Sequence, residues 1–343
     1  MIRYILLLCL LASCAGKTES VKNNYTTVKI EPVYEDSVSI RAITMMGKNL
    51  GFAGTDNLYG LYDNSRNLVR TSKIEHDSLK LQFRAVAATS NDFFVLSIES
   101  PALLFKTGDQ GKMELVYKEE GEGVFYDAMT FWDDLDGIAV GDPVGGCMSV
   151  IVTRDGGNTW AKVPCEKLPA SDKEGAFAAS NTNIAVNGDH AWIATGGVES
   201  RILHSADRGQ TWESIEVPVV KGKETTGMYS VAFYDAMNGF AIGGDYTEPT
   251  GNTANKLKTT DGGKTWKTVA DGIEPGYLSC VQYVPGGQAS ELVAVGFNGI
   301  YYSSTAGDSW IKLSDEGFYT LRFDTDSTAY AAGKDRISRL EFK

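Results

Sequence analysis

Short apolar runs bounded by Gly, Asn and Asp recur along the chain, and two kinds alternate. The first sets a polar residue inside an apolar stretch: Ser39-Ile40-Arg41-Ala42-Ile43, Gln82-Phe83-Arg84-Ala85-Val86 and Phe125-Tyr126-Asp127-Ala128-Met129, with later copies beginning near Phe177, Tyr229, Leu278 and Tyr319. The second carries Gly: Leu50-Gly51-Phe52-Ala53-Gly54, Gly137-Ile138-Ala139-Val140-Gly141, Gly239-Phe240-Ala241-Ile242-Gly243 and Ala329-Tyr330-Ala331-Ala332-Gly333. Runs this short, rich in β-branched and aromatic residues and separated by turn formers, predict strands rather than helices.

A polar octet follows the Gly-containing runs. Thr153-Arg154-Asp155-Gly156-Gly157-Asn158-Thr159-Trp160 recurs as Ser205 to Trp212 and as Thr259 to Trp266, with worn copies at Thr107 to Gly111 and Ser303 to Trp310. The shared pattern is Ser/Thr-x-Asp-x-Gly-x-Thr-Trp. Its Asp is suited to accept hydrogen bonds from the turn that follows, and its Gly supplies a backbone angle other residues resist. Its second Thr opposes the opening Ser/Thr across a hairpin, and its Trp buries a large ring on the neighbouring sheet. Asp109, Asp155, Asp207 and Asp261 are therefore assigned to holding hairpins, with no catalytic part.

The octets start at 107, 153, 205, 259 and 303, in steps of 46, 52, 54 and 44. A four-stranded propeller blade takes about 40–50 residues. Each unit reads as an inner strand A, a Gly-containing strand B, and a hairpin of strands C and D. The seven copies of strand A predict an all-β, seven-bladed β-propeller of four-stranded antiparallel blades, occupying residues 26–343 as one domain. The last unit has room for only three strands, ending at Phe342. The run Thr26 to Glu31 has no partner of its own and is expected to complete that blade, which removes free sheet edges.

The polar residues of strand A fall in one slot: Arg41, Arg84, Asp127, Ala178, Ser230, Ser279 and Thr320. Strand alternation is expected to turn this slot toward the central channel, and Arg322, two residues after Thr320, with it. Arg322, Arg41 and Arg84 would then stand beside Asp127 and clamp a carboxylate or phosphate. The plainer alternative is that Asp127 pairs with Arg84 and water fills the channel. Loops after strand B offer Asp56, Glu99, Asp142 and Asp245 on the face where strand A begins. Asp142 and Asp245 are the rim candidates, and the loop from Asp245 to Asn255 is unusually long.

Composition and the N-terminus narrow the partners. Asp and Glu number 44 against 32 Lys and Arg, which argues against nucleic acid. His76, His190 and His204 show no metal-ligand spacing, and neither a Gly-rich phosphate loop nor a Gly-x-Ser-x-Gly elbow is present, so no metal or cofactor is expected. Arg3 precedes an apolar run from Tyr4 to Leu11, and Leu11-Ala12-Ser13-Cys14 resembles a bacterial lipobox. The run is too short for a bilayer span, which needs ~20 residues. Residues 1–13 therefore predict a signal peptide, Cys14 the lipidated first residue of the mature protein, and 14–25 a flexible tether. Ala15, in place of an inner-membrane retention Asp, points to an outer-membrane lipoprotein on the periplasmic or surface face. A monomer is expected.

Cys280 is expected to face apolar sheet packing and stay reduced. Cys147 and Cys165 each lie nine residues from Gly156, so continuing the first full hairpin ladder opposes them, with Cβ atoms about 4.5–5.5 Å apart, near what a disulfide tolerates. An exported compartment permits the bond. The alternative is that Pro164 ends the ladder first and leaves two thiols.

The octet resembles the Asp box, or BNR repeat, of sialidase-like propellers. Strand B ending in Gly with an octet in the next hairpin, best seen in Gly137 to Gly141 followed by Thr153 to Trp160, resembles the photosystem II assembly and stability factor family of propellers. The resemblance runs from about Ser39 to Phe342. It implies a module that assists assembly; with the lipobox-like N-terminus and the thin catalytic inventory, the expectation is a non-catalytic, lipid-anchored envelope propeller for a protein or envelope partner. The sialidase-like alternative implies a glycosidase, or a binder of acidic glycans, using the channel arginines. Such enzymes hold a carboxylate with three arginines and use a Tyr nucleophile, and their Arg-Ile-Pro motif is missing here.

Overall fold

The computed structural model describes residues 23–108, 111–171 and 173–343. The expected signal, Cys14, most of the tether and Asp109 lie outside the described residues. The fold is an all-β, propeller-like arrangement of antiparallel sheets, most of them four-stranded meanders. Phe83–Ala88, Phe93–Ser97, Ala102–Thr107 and Met113–Glu119 pair in chain order. Tyr126–Phe131, Gly137–Val144, Cys147–Thr153 and Ala161–Lys162 do the same. Further meanders begin at Ile184–Asn187, Thr226–Phe233 and Cys280–Tyr283. The long strand Val28–Met46 serves two sheets. Its first part pairs with Lys334–Phe342, from Val28 opposite Phe342 to Glu35 opposite Arg336, and its second part pairs with Asn49–Gly54. The innermost strands adjoin one another in chain order, and Thr320–Phe323 returns to touch Val28–Met46, so they ring a central channel.

Side chains of an inner strand alternate between the two neighbouring sheets rather than between channel and solvent. Ile40 and Ile43 pack with Phe52, Tyr330 and Ile337, whereas Ala42 packs with Ala53, Phe83 and Val86. A strand covered on both faces reads as a continuous apolar run, which explains the unbroken Gly137 to Gly141. Each buried Leu, Ile, Val or Phe contributes roughly 1.5–3 kcal/mol, so the inter-sheet seams carry most of the stability.

A β-bulge, not alternation, turns a residue into the channel. Ile40 opposes Gly54 and Ala42 opposes Ala53, which sets Arg41 out of the ladder. Arg84, Asp127 and Tyr229 are set out in the same way. The Gly that ends strand B is required here: a Cβ on Gly141 would lie 2.1 Å from the Phe125 carbonyl oxygen, beside the bulge.

The octets hold their hairpins as their residue types predict. Asp155 accepts from the Thr159 N–H at 2.9 Å, the Thr159 hydroxyl at 2.6 Å and the Thr153 hydroxyl at 2.9 Å. The Gly157 N–H donates to Thr153 Oγ1 at 2.9 Å, and Trp160 meets Phe131 edge-on at 5.8 Å. Asp207 and Asp261 repeat these bonds. In the worn copy, the Thr305 hydroxyl takes the place of Asp and accepts the Ser309 N–H.

Two boundaries differ from expectation. The tether is expected to run to residue 25, yet Tyr25 is buried, 5.0 Å from Tyr302 and 5.4 Å from Phe342, with its hydroxyl donating to Asp326 O. Asn23 donates twice to Glu291. Cys147 and Cys165 are bridged, with Cα atoms 5.2 Å apart, but not by ladder continuation. The ladder's last pair is Ile151 with Lys162; Pro164 then starts a 3-10 turn, Cys165–Lys167, which brings Cys165 back over Cys147. Cys280 is free and buried.

Candidate functional site

The channel is plugged by the chain itself. Residues 177–183, expected to open an inner strand near Phe177, instead run irregularly through the channel, and the strand starts at Ile184. A buried irregular segment must have its polar groups met by side chains and by neighbouring backbone. The Ser180 hydroxyl donates to Ser279 O at 2.6 Å, and the Thr320 hydroxyl to Ser180 O at 2.8 Å. Asn181 accepts the Met129 N–H at 2.9 Å and donates to Val86 O at 2.8 Å. The Thr182 hydroxyl donates to Ser230 Oγ at 2.8 Å. Ser230, Ser279 and Thr320 thus brace the plug, and Ala178 belongs to the plug rather than to a strand slot.

The plug separates the arginines that the sequence reading placed together. Arg41 Nη1 donates to Ala179 O at 3.4 Å on one side, and Arg322 Nη2 donates to Asn181 O at 3.0 Å on the other. The reason is register. Tyr319 N donates to Ala332 O although Ala332 opposes Thr320, so Tyr319, not Thr320, holds the bulge slot. Arg322 then stands three residues beyond it, about 10 Å down the strand at ~3.3 Å per residue. Tyr229 likewise holds the slot assigned to Ser230.

Arg41, Arg84 and Asp127 share the mouth where the inner strands begin. A cavity of about 230 Å³ lies between the two arginines and an arc of rings, and a second of about 560 Å³ adjoins it over Arg84, Asp127, Asp142 and Lys173. In the arc, Phe177 stacks on Tyr229 at 3.8 Å, Tyr229 meets Tyr277 edge-on at 4.8 Å, Tyr277 lies 5.2 Å from Phe297, and Phe297 lies 6.0 Å from Tyr319. Tyr246 and Phe297 are exposed at the rim. The sequence reading missed these rings because Tyr and Phe in a strand normally signify core.

The charges here are uneven. Arg84 makes no hydrogen bond or ion pair among the described residues. Burial and the nearby Arg41 charge lower its pKa. Asp127 is fully buried, and among the described residues neither carboxylate oxygen completes a hydrogen bond. Burial, then the Asp142 charge, pushes its pKa well above the usual range, and the nearby Arg84 charge offsets this only in part. The simple Asp127–Arg84 pair is therefore not formed. Asp142 accepts the Ala176 N–H at 2.8 Å and is also pushed up by burial. Asp245 braces its own loop: burial opposes its charge, but the Thr247 hydroxyl and N–H, helped by Lys223, hold it at about 2. Asp56 and Glu99 are exposed turn residues.

The fold is thus an all-β propeller with a plugged channel and a cationic, aromatic mouth. The family model described as "Photosynthesis system II assembly factor YCF48" matches residues 120–221, the stretch that holds the octets starting at Thr153 and Ser205, so that part of the chain is similar to the family its octets resemble. No curated protein matches it. Among solved structures it is similar to YCF48 bound to D1 peptide, at 12% identity and a TM-score of 0.67, covering 93% of this chain and 97% of that one. It is also similar to YCF48 from Cyanidioschyzon merolae, at 14% and 0.61 over 92% and 98%. A streptogramin B lyase matches at 13% and 0.65 over 93% and 99%. At these identities the likeness shows the fold alone, and one of the three is an enzyme, so function must come from the site.

Proposed function

We propose that this protein is a non-catalytic, lipid-anchored envelope propeller that binds a segment of a partner protein at the mouth carrying Arg84. The observation that carries the reading is the uncommitted Arg84 guanidinium, set among rings in a cavity open at the rim. A partner segment offering a carboxylate to Arg84 and apolar side chains to the arc matches that chemistry. The YCF48 structure with D1 peptide is a precedent on this fold. We count seven blades, on the strength of the ring of inner strands, and take Val28 to Glu35 as the last blade's fourth strand. The lipobox-like Leu11-Ala12-Ser13-Cys14 supports anchoring, in the outer membrane by the residue at position 15. The test is cross-linked capture from the native envelope by the full chain and by its Arg84→Ala and Tyr246→Ala variants. Loss of the same partner in both variants supports the reading, and unchanged capture overturns it.

The neighbouring Asp127 and Asp142, both shifted upward, favour a second reading as a glycosidase on acidic glycans. Against it, Asp127 has no exposed surface and only two arginines share its mouth. Hydrolysis of a fluorogenic sialoside that Asp142→Asn abolishes would replace the binding reading.

A further inference from the structure

The far end of the channel holds a second, separate cavity. Three positions beyond the bulge slot, the inner strands present a ring of mostly small residues, Ala87, Ala185 and Ala232 among them. Arg322, Gln282, Thr44 and Thr130 complete it. These line a cavity of about 300 Å³ that opens on the face opposite Arg84 and is floored by Asn181 and Thr182 of the plug. The small side chains make the space, and the polar ones converge on it.

Among the described residues, Arg322 is the only cation lining this cavity. Its donors go to Thr320 Oγ1 at 3.2 Å, Leu321 O at 2.8 Å and Asn181 O at 3.0 Å, all neutral, with the Cys280 thiol beside it as a weak acceptor. Among the described residues no carboxylate offsets its charge. A half-buried guanidinium without a counter-charge is costly unless an anion joins it. Gln282 spends one amide donor on Val281 O at 2.9 Å, and the hydroxyls of Thr44 and Thr130 make no hydrogen bond among the described residues. One cation, an amide and two hydroxyls with unmet capacity therefore face one small space.

We infer that this cavity binds a small organic carboxylate, whose charge offsets the guanidinium and takes its remaining donor, and whose hydroxyl or keto group meets Gln282 and the threonines. The site does not depend on the partner-binding mouth, since the plug lies between them. It is tested by calorimetric titration of the purified full chain, at constant ionic strength, with acetate, lactate, malate and citrate, and with inorganic phosphate as a separate arm. The expected result is saturable binding of one or more carboxylates that weakens at least about tenfold in Arg322→Gln and in Gln282→Leu, while Arg84→Ala leaves it unchanged. Because Arg322 also holds the plug, Gln282→Leu keeps the test decisive if Arg322→Gln does not fold. No saturable carboxylate binding overturns the inference. So does binding indifferent to Gln282→Leu, or binding of phosphate alone.

Discussion

The Arg41 guanidinium lies over the ring of Tyr319, 4.0 Å from its centroid. The two residues occupy bulge slots of adjacent inner strands, and Arg41 also reaches the plug at Ala179 O. Arg41 is therefore committed to structure, whereas its neighbour Arg84 is not. Arg84→Ala should abolish partner capture with almost no change in Tm. Arg41→Ala should lower stability by about 1–2 kcal/mol, from a cation–π contact and a hydrogen bond. Urea unfolding beside the capture assay separates the two, and equal effects of both variants on both measurements would contradict this division.

The contrast follows from what a sequence can carry. An octet is legible because its bonds stay local: Asp155 and Thr153 meet partners no more than four residues away. The plug is not, because its side-chain bonds to the inner strands span from 48 residues, Thr182 to Ser230, to 141, Asn181 to Arg322. Nothing in Ala178-Ala179-Ser180-Asn181 announces a channel. Aligning polar residues by type misplaces the slot by one at Ser230 and Thr320, because the residues that hold it there are Tyr229 and Tyr319. The signal that corrects it is the Gly ending strand B: counting back from Gly243 and Gly333 through the ladder reaches Tyr229 and Tyr319.

Asn181 should be the most sensitive plug residue. Its side chain satisfies the Met129 N–H and the Val86 carbonyl, and its φ of +59° is one that Asn tolerates better than Ala. Asn181→Ala should cost about 2–4 kcal/mol, since buried groups lose their partners. Asn181→Gly removes the same bonds but relieves the backbone, so it should recover roughly 1 kcal/mol of that loss. Urea midpoints rank the three proteins, and a Gly variant less stable than Ala would refute the backbone part.

The Cys147–Cys165 bridge closes a sequence separation of 18 residues. Cys165→Ser should lower stability by roughly 3 kcal/mol through loop closure in the unfolded chain. Thiol titration of the denatured, unreduced mature protein should find Cys280 alone, and three reactive thiols would exclude the bridge.

Anchoring through Cys14 predicts that Cys14→Ser moves the protein from the membrane to the soluble fraction. If the Ser variant stays with the membrane, some other contact holds it there.

Asp127 sets a pH dependence of opposite sign to that of a salt-bridged carboxylate. Burial first, and the Asp142 charge next, raise its folded pKa above the unfolded value. Between those two values the folded state holds a proton that the unfolded state has released. Asp127 thus favours folding fully below the ordinary Asp pKa of about 3.9, and that contribution is lost as pH rises toward the folded value. Asp142, also raised, adds to the same slope. Asp127→Asn keeps the shape, has no charge to bury, and should raise the urea midpoint at pH 7–8 while leaving it nearly unchanged at pH 4. An Asn variant less stable than the parent at neutral pH would mean that the Asp127 charge is compensated by Arg84 after all. Arg84 would then be a structural partner rather than the ligand-binding cation.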